Sequence, residues 1–418
     1  MRINLAKSAK RAHGFVLIFV VLAMLTVFGV VLFGNFATGN PKGNRDLQTA
    51  IALAKAKEAL IAYATARADD VAPGEFPCPT IVAPTSATYG VAAGGCATIR
   101  IGRLPWQTLG LPEILDGNNE PVWYALSTNF RPGRPVASKI NGETAGSLTI
   151  YQNDGTTILA TRVVAVIFSA GAPAGSQSRT NAVAFCTTTG TNIAGNTCAA
   201  NYLEIASSRN NATNAGPYIA AKAVANFNDQ LVYITTDDFI PRIEDRIITM
   251  LKRTLNDYYA VNGYYPYAAN YLTMTPTSAN CATNTFTGRL PNLIAPSCAS
   301  LADWQPVGNP NGLPAWFTTE QWNAGIYYAI GKAYEKGGLK TCVAVGDCLT
   351  VDGDNAVQAV FILPGTALAG QTRPSTAIAN YIEENVENQD GWPGPGNYTF
   401  VNGSSKLASR DRVIALKN

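Results

Sequence analysis

Histidine is almost missing: the 418-residue chain holds one, His13, and none follows it. That excludes Ser-His and Cys-His nucleophile pairs, and imidazole-bound metals, from everything beyond residue 13. Charge is also scarce, at 14% of residues with a net +3. Loss of the four N-terminal cations Arg2, Lys7, Lys10 and Arg11 would leave −1, so no basic surface for nucleic acid is expected. No two cysteines stand in C-x₂-C spacing, and without a following histidine a zinc site is the weaker rival to disulfides. "GRLPW" and "GRLPN" lack the Gly-Lys-Ser/Thr of a phosphate loop. "DGDN" at 352–355 lacks the full acidic spacing and closing glutamate of a calcium loop, and reads as a β-turn. Asp237-Asp238 and Glu383-Glu384 could serve acid–base chemistry, but read better as helix caps and solvated faces. No enzyme, cofactor or metal site is expected.

Long apolar runs are represented once, near the start. Phe15 to Phe33 is nineteen residues without a charge, which as a helix would span about 28 Å. That exceeds the apolar core of a secretory signal, and "GNFATGN" behind it is a poor cleavage site. The basic leader would hold the N-terminus in the cytoplasm and send the rest across. The expectation is a single-pass bacterial inner-membrane protein, bulk periplasmic, with a membrane helix over 15–37.

Gly14 sits directly between the basic leader and Phe15. This junction resembles the class III leader of type IV pilins and type II secretion pseudopilins. The resemblance implies that a prepilin peptidase cuts between Gly14 and Phe15 and methylates the new Phe15 amine. It also implies other pilin or pseudopilin subunits as partners, and a filament core for the apolar helix. Most of that family carry glutamate at the fifth mature residue; here the residue is Phe19. In that respect the chain is similar to atypical minor subunits at or near the filament tip.

Eight cysteines lie beyond the apolar run in close sequential pairs: Cys78 and Cys96, Cys186 and Cys198, Cys281 and Cys298, Cys342 and Cys348. An even number on an oxidising side of a membrane is expected to form disulfides, each contributing about 2–4 kcal/mol.

An internal repeat organises the rest. "CATIRIGRLP" from Cys96 returns as "CATNTFTGRLP" from Cys281, and "PVWYALS" around Trp123 matches "GIYYAIG" around Tyr327. "VIFSAGAPAGSQSR" from Val166 aligns without a gap to "VFILPGTALAGQTR" from Val360, and "NYLE" at Asn201 returns as "NYIE" at Asn380. The order is kept throughout. "GNPKGN" should interrupt the helix after the apolar run; "LQTAIALAKAKEALIAYATARA" then resumes it, with Leu53, Ala56, Leu60 and Tyr63 as one stripe. In the second copy Ile243, Ile247, Leu251, Leu255 and Tyr258 share a face, and Asn262-Gly263 forms the C-cap. Tyr258, Tyr259, Asn262, Gly263, Tyr265 and Pro266 resemble the pseudopilin helix end. Runs such as "SLTIYQNDGTTILATRVVAVIF" read as strands, with Asp154-Gly155 at a hairpin turn. The repeated "GRLP" is expected to fix a turn beside the helix. Trp106, Trp304, Trp316, Trp322 and Trp392 are read as core before ligand face.

The expected fold is α+β: leader 1–14, membrane or filament-core helix 15–37, and two tandem pilin-like domains, 44–235 and 236–418, each a helix on an antiparallel sheet. The expected function is a structural minor subunit of a type IV pilus or type II secretion filament, near the tip. The alternative is a membrane-anchored tip adhesin or substrate-binding module.

Overall fold

The structure is a computed structural model that describes residues 41–68, 71–179, 198–269, 285–290, 313–322, 325–367, 370–373, 375, 377–382, 398–401 and 411–417. It is a mixed helix and sheet protein, with most of its elements strands. The expected N-terminal membrane helix, and the single-pass inner-membrane placement built on it, are corrected here. No helix among the described residues is long and apolar enough to cross a membrane. The 15–37 segment lies outside those residues. The first described helix, α1 (Pro41–Thr65), has the length but not the composition, because Lys42, Arg45, Asp46, Lys55, Lys57 and Glu58 punctuate it.

α1 is described from Pro41 onward, and Gly43, expected to loosen the helix, lies within it. Ala52, Leu53, Ala56, Leu60, Ile61 and Ala64 are buried, whereas Ile51 is exposed. The buried face is therefore broader than one row, and Tyr63 sits only at its edge.

The second long helix, α2 (Thr236–Asn262), starts where Thr235 and Asp238 form a capping box. Pro241 lies within its second turn. Gly263, at φ 72°, closes the helix, its N–H donating 2.7 Å to the Tyr259 carbonyl. A β-carbon is disfavoured in that left-handed conformation. All five residues of the expected α2 face are buried.

The first repeat copy contributes β1 (Ile101–Arg103), β2 (Trp123–Leu126), β3 (Leu148–Gln152), β4 (Ile158–Val163), β5 (Ala165–Ser169), β6 (Ile205–Ala206), β7 (Arg209–Asn210), β8 (Tyr218–Ala220) and β9 (Gln230–Ile234). The second contributes β10 (Thr287–Arg289), β11 (Tyr327–Ile330), β12 (Leu349–Val351), β13 (Asp354–Val357), β14 (Ala359–Leu363), β15 (Thr399–Phe400) and β16 (Arg412–Leu416), with a short α3 (Ala315–Thr319) before β11. Each copy builds a four-stranded antiparallel sheet, ordered β1-β2-β5-β9 and β10-β11-β14-β16. Each also builds a three-stranded sheet, β4-β3-β8 and β13-β12-β15, with one parallel pairing in the same place. Sequence repetition is thus repeated topology.

The layers explain the burial. Tyr124, Leu126, Ala165 and Ile167 point from the first large sheet toward the helices; Tyr328, Ile330, Phe361 and Leu363 do so from the second. Their neighbours Trp123, Ala125, Val166 and Phe168 face the first small sheet, and Tyr327, Ala329, Val360 and Ile362 face the second. Antiparallel strands usually leave one face wet. Here both faces are covered, so β2, β5, β11 and β14 are buried along their whole length. The two helices lie in the middle, and one continuous core joins them to both large sheets.

Turns follow the expected chemistry. Asp154 accepts from the N–H groups of Thr156 and Thr157 beside Gly155, at φ 69°, between β3 and β4. Asp352 and Gly353 both have positive φ in the tight turn between β12 and β13.

Candidate functional site

The processing pair Gly14 and Phe15 lies outside the described residues. Of the cysteines, Cys78 bonds to Cys96 and Cys342 to Cys348. Cys198 is also disulfide-bonded; Cys186, Cys281 and Cys298 lie outside the described residues. Trp316 and Trp322 are buried in the core, and half-buried Trp106 packs against the Tyr89 ring at 6.2 Å; Trp304 and Trp392 lie outside the described residues.

"GRLP" does not make a turn beside the helix. Its glycines sit in edge strands β1 and β10, where a β-carbon on Gly102 would collide with the Thr80 carbonyl, and one on Gly288 with that of Ala269. The segment before each strand can therefore pair with it: Thr80 bridges Arg103, and Ala269 bridges Arg289. Both arginines point to the outer face and are buried. Arg103 lies over the rings of Trp123 and Tyr202, at 5.4 and 5.2 Å, and donates to the Tyr202 hydroxyl at 3.2 Å. Cation–π attraction is strongest where water is excluded, as it is here.

A second arginine of each copy staples the loop after the central strand. Arg179 donates to the carbonyls of Ala170, Gly171, Asn201 and Tyr202, and lies 4.7 Å from the Tyr202 ring centre. Arg373 repeats the pattern on Gly365, Asn380 and Tyr381, 4.9 Å from the Tyr381 ring. Sequence reasoning missed these residues as a pair. The signal was available, since Arg179 and Arg373 end the ungapped repeat and Tyr202 and Tyr381 sit in "NYLE" and "NYIE".

Beside the first stack lies a buried pair of carboxyls, Glu204 and Asp229. Asp229 Oδ2 accepts from the Glu204 N–H at 2.9 Å and from Asn211 Nδ2 at 2.9 Å. Glu204 accepts from the N–H groups of Asn228 and Asp229 and from Gln177 Nε2. Asp229 Oδ1 has no hydrogen-bond partner. Burial, then the neighbouring Glu204 charge, pushes the Asp229 carboxyl well above the usual carboxylate range. Burial also raises Glu204, against the pull of surrounding N–H groups and Arg179. The groups around this pair are mostly N–H donors, too few oxygens for the six to eight a calcium ion takes. Among the described residues no group of three or more His, Cys, Asp or Glu side chains is placed to hold a metal ion.

Between the copies runs a cleft of about 360 Å³, walled by residues 137–139 and 141–145 of the first and by Trp322, Leu363, Pro364 and Tyr381 of the second. Its walls are tied together. Glu320 accepts from Arg134 at 2.5 Å and from the Ile140 N–H at 2.6 Å, while Arg373 pairs with Glu143 at 2.8 Å. Asp237 and Asp238, considered for acid–base work, begin α2 instead. Burial acts to raise Asp238, but the hydrogen bond from Lys57 and those from Thr235 outweigh it and hold the carboxyl below its ordinary value. Glu383-Glu384 lies outside the described residues. These arrangements can bind and brace; in a buried hydroxyl–carboxylate pair, Ser169 donates at 2.6 Å to Asp116, which also receives the Gly171 N–H and so braces the loop after β5. Compared with known proteins, the chain matches no family model, no curated protein and no solved structure.

Proposed function

We propose that this chain is a non-catalytic structural subunit of a type IV pilus or type II secretion filament. A prepilin peptidase cuts it between Gly14 and Phe15, methylates Phe15, and releases it to pack with other pilin or pseudopilin subunits. The observation that carries this reading is the junction of Gly14 with Phe15, behind four cations and ahead of nineteen uncharged residues. The closure of α2 by a left-handed glycine between tyrosines supports it, being the local form the resemblance implies.

Mass spectrometry of the mature protein should find N-methyl-Phe15 as its first residue. Replacing Gly14 with a bulky residue should leave the leader attached. An intact leader on the wild-type chain, or cleavage near Ala37, would overturn the reading.

The cleft between the copies favours a second reading, a binding module carried on the filament. In that case deleting the gene would leave filament number unchanged and remove attachment or substrate capture.

A further inference from the structure

The two copies dock on each other in a head-to-tail manner. The C-terminal half of α1 meets the N-terminal half of α2, with Lys57 bonded to Asp238, Glu58 to Arg242, and the carbonyls of Thr65 and Arg67 accepting from Arg246. At the same level, the first copy's loop after β2 reaches across. Arg134, Ile140 and Asn141 of that loop seize Glu320, just before β11 of the second copy. This contact is heterologous: different surfaces of the two copies meet, and one surface of each kind is left over.

The second copy's equivalent loop, after β11, is closed by the Cys342–Cys348 disulfide and braced by Asp347, which accepts from the N–H groups of Val343 and Ala344. It displays Leu339, Val343 and Val345 at 84%, 85% and 83% exposure. Single exposed aliphatics are ordinary, but three within seven residues on a braced loop form a patch. It sits beside the C-terminal end of α2, where Lys340 covers Tyr259 and Val261 is exposed. The first copy's equivalent of the Glu320 segment is the loop before β2. It lies against the N-terminal half of α1, with Gly117 N–H bonded to Thr49, and it displays Leu115 with Glu113. Exposed Ile51 lies on the same half-helix. Lysines 336 and 340 flank the one patch and exposed Glu113 the other, so the two ends are opposite in charge; Glu120 is committed to Arg179 at 3.0 Å.

We propose that the 339–345 loop docks on the 113–119 loop of a second copy of this chain, repeating between molecules the contact that joins the two halves within one. The inference stands apart from the leader and its processing.

The test uses the full chain in a non-ionic detergent, with mass measured by light scattering over a concentration series. Wild type should grow with concentration into a series of oligomers. Val343→Asp with Val345→Asp, and separately Leu115→Asp, should each weaken association by about tenfold or more, as loss of an interface centre does. All three sites are exposed, so unchanged melting curves confirm the fold. An equimolar mixture of the two variants should give dimers and nothing larger, because each supplies the end the other lacks. A wild-type chain monomeric throughout, variants that associate like wild type, or a mixture without dimers would each overturn the proposal.

Discussion

Phe239→Ala is expected to destabilise both halves of the protein together, by about 3–5 kcal/mol. Phe239 belongs to the second copy by sequence, since it follows the cap at Thr235. Its ring packs edge-on against two rings of the first copy, Phe76 at 5.1 Å and Phe130 at 5.7 Å. All three are fully buried in the core shared by both large sheets. Truncation would leave a cavity at the join that neither sheet can close by itself, because each is held on its outer face by a small sheet. Thermal unfolding should therefore be one transition in wild type. Helical circular dichroism and tryptophan fluorescence should coincide, because Trp123 reports on the first copy and Trp316 and Trp322 on the second. The variant should move that single transition down. Two transitions in wild type, only one of them shifted by the substitution, would show that the copies are independent domains.

Asp229→Asn should stabilise the protein at neutral and mildly alkaline pH, by about 1–3 kcal/mol. The native pair holds a proton that the unfolded chain releases above about pH 4. The native state thus binds more protons than the unfolded state, and stability falls as pH rises from there through the raised value of Asp229. Below the ordinary carboxylate range both states are protonated and the contribution is flat. Arg179 is the cation nearest Glu204, and it is already shared with Glu120 at 3.0 Å, so it cannot neutralise both carboxylates. An asparagine keeps the oxygen that accepts from Glu204 and Asn211, and turns an N–H toward the Glu204 carboxylate. Melting temperature against pH should flatten in the variant, with its largest gain at the alkaline end. A variant less stable at every pH, with an unchanged slope, would show that Asp229 works as a paired carboxylate.

Much of this was legible in the residues, and the misses have physical causes. The α2 face from Ile243 to Tyr258 could be read because one side is buried and the other wet, which leaves a 3.6-residue period. Gly263 and Asp352-Gly353 could be read because positive φ restricts which residues fit. Central strands such as "AVIFS" and "AVFIL" show no alternation, because both faces are covered and the period vanishes. Pro241 sits in the second turn of α2, where, behind a capped start, it removes only one helical hydrogen bond.

Residue order alone shows that a unit is used twice, which residues of α2 face the core, where the Asp154-Gly155 and Asp352-Gly353 turns lie, and, for Cys78–Cys96 and Cys342–Cys348, which loops cysteines close. Those are local facts, carried by period, backbone restriction and spacing. Folding alone reveals that the two units fuse through one core, that Arg103 from an edge strand and Arg179 from a loop converge on Tyr202, and that Glu320 is gripped by the other copy. Such contacts join residues far apart in the chain. Their stability comes from excluding water around both partners at once, so no single stretch of sequence records them.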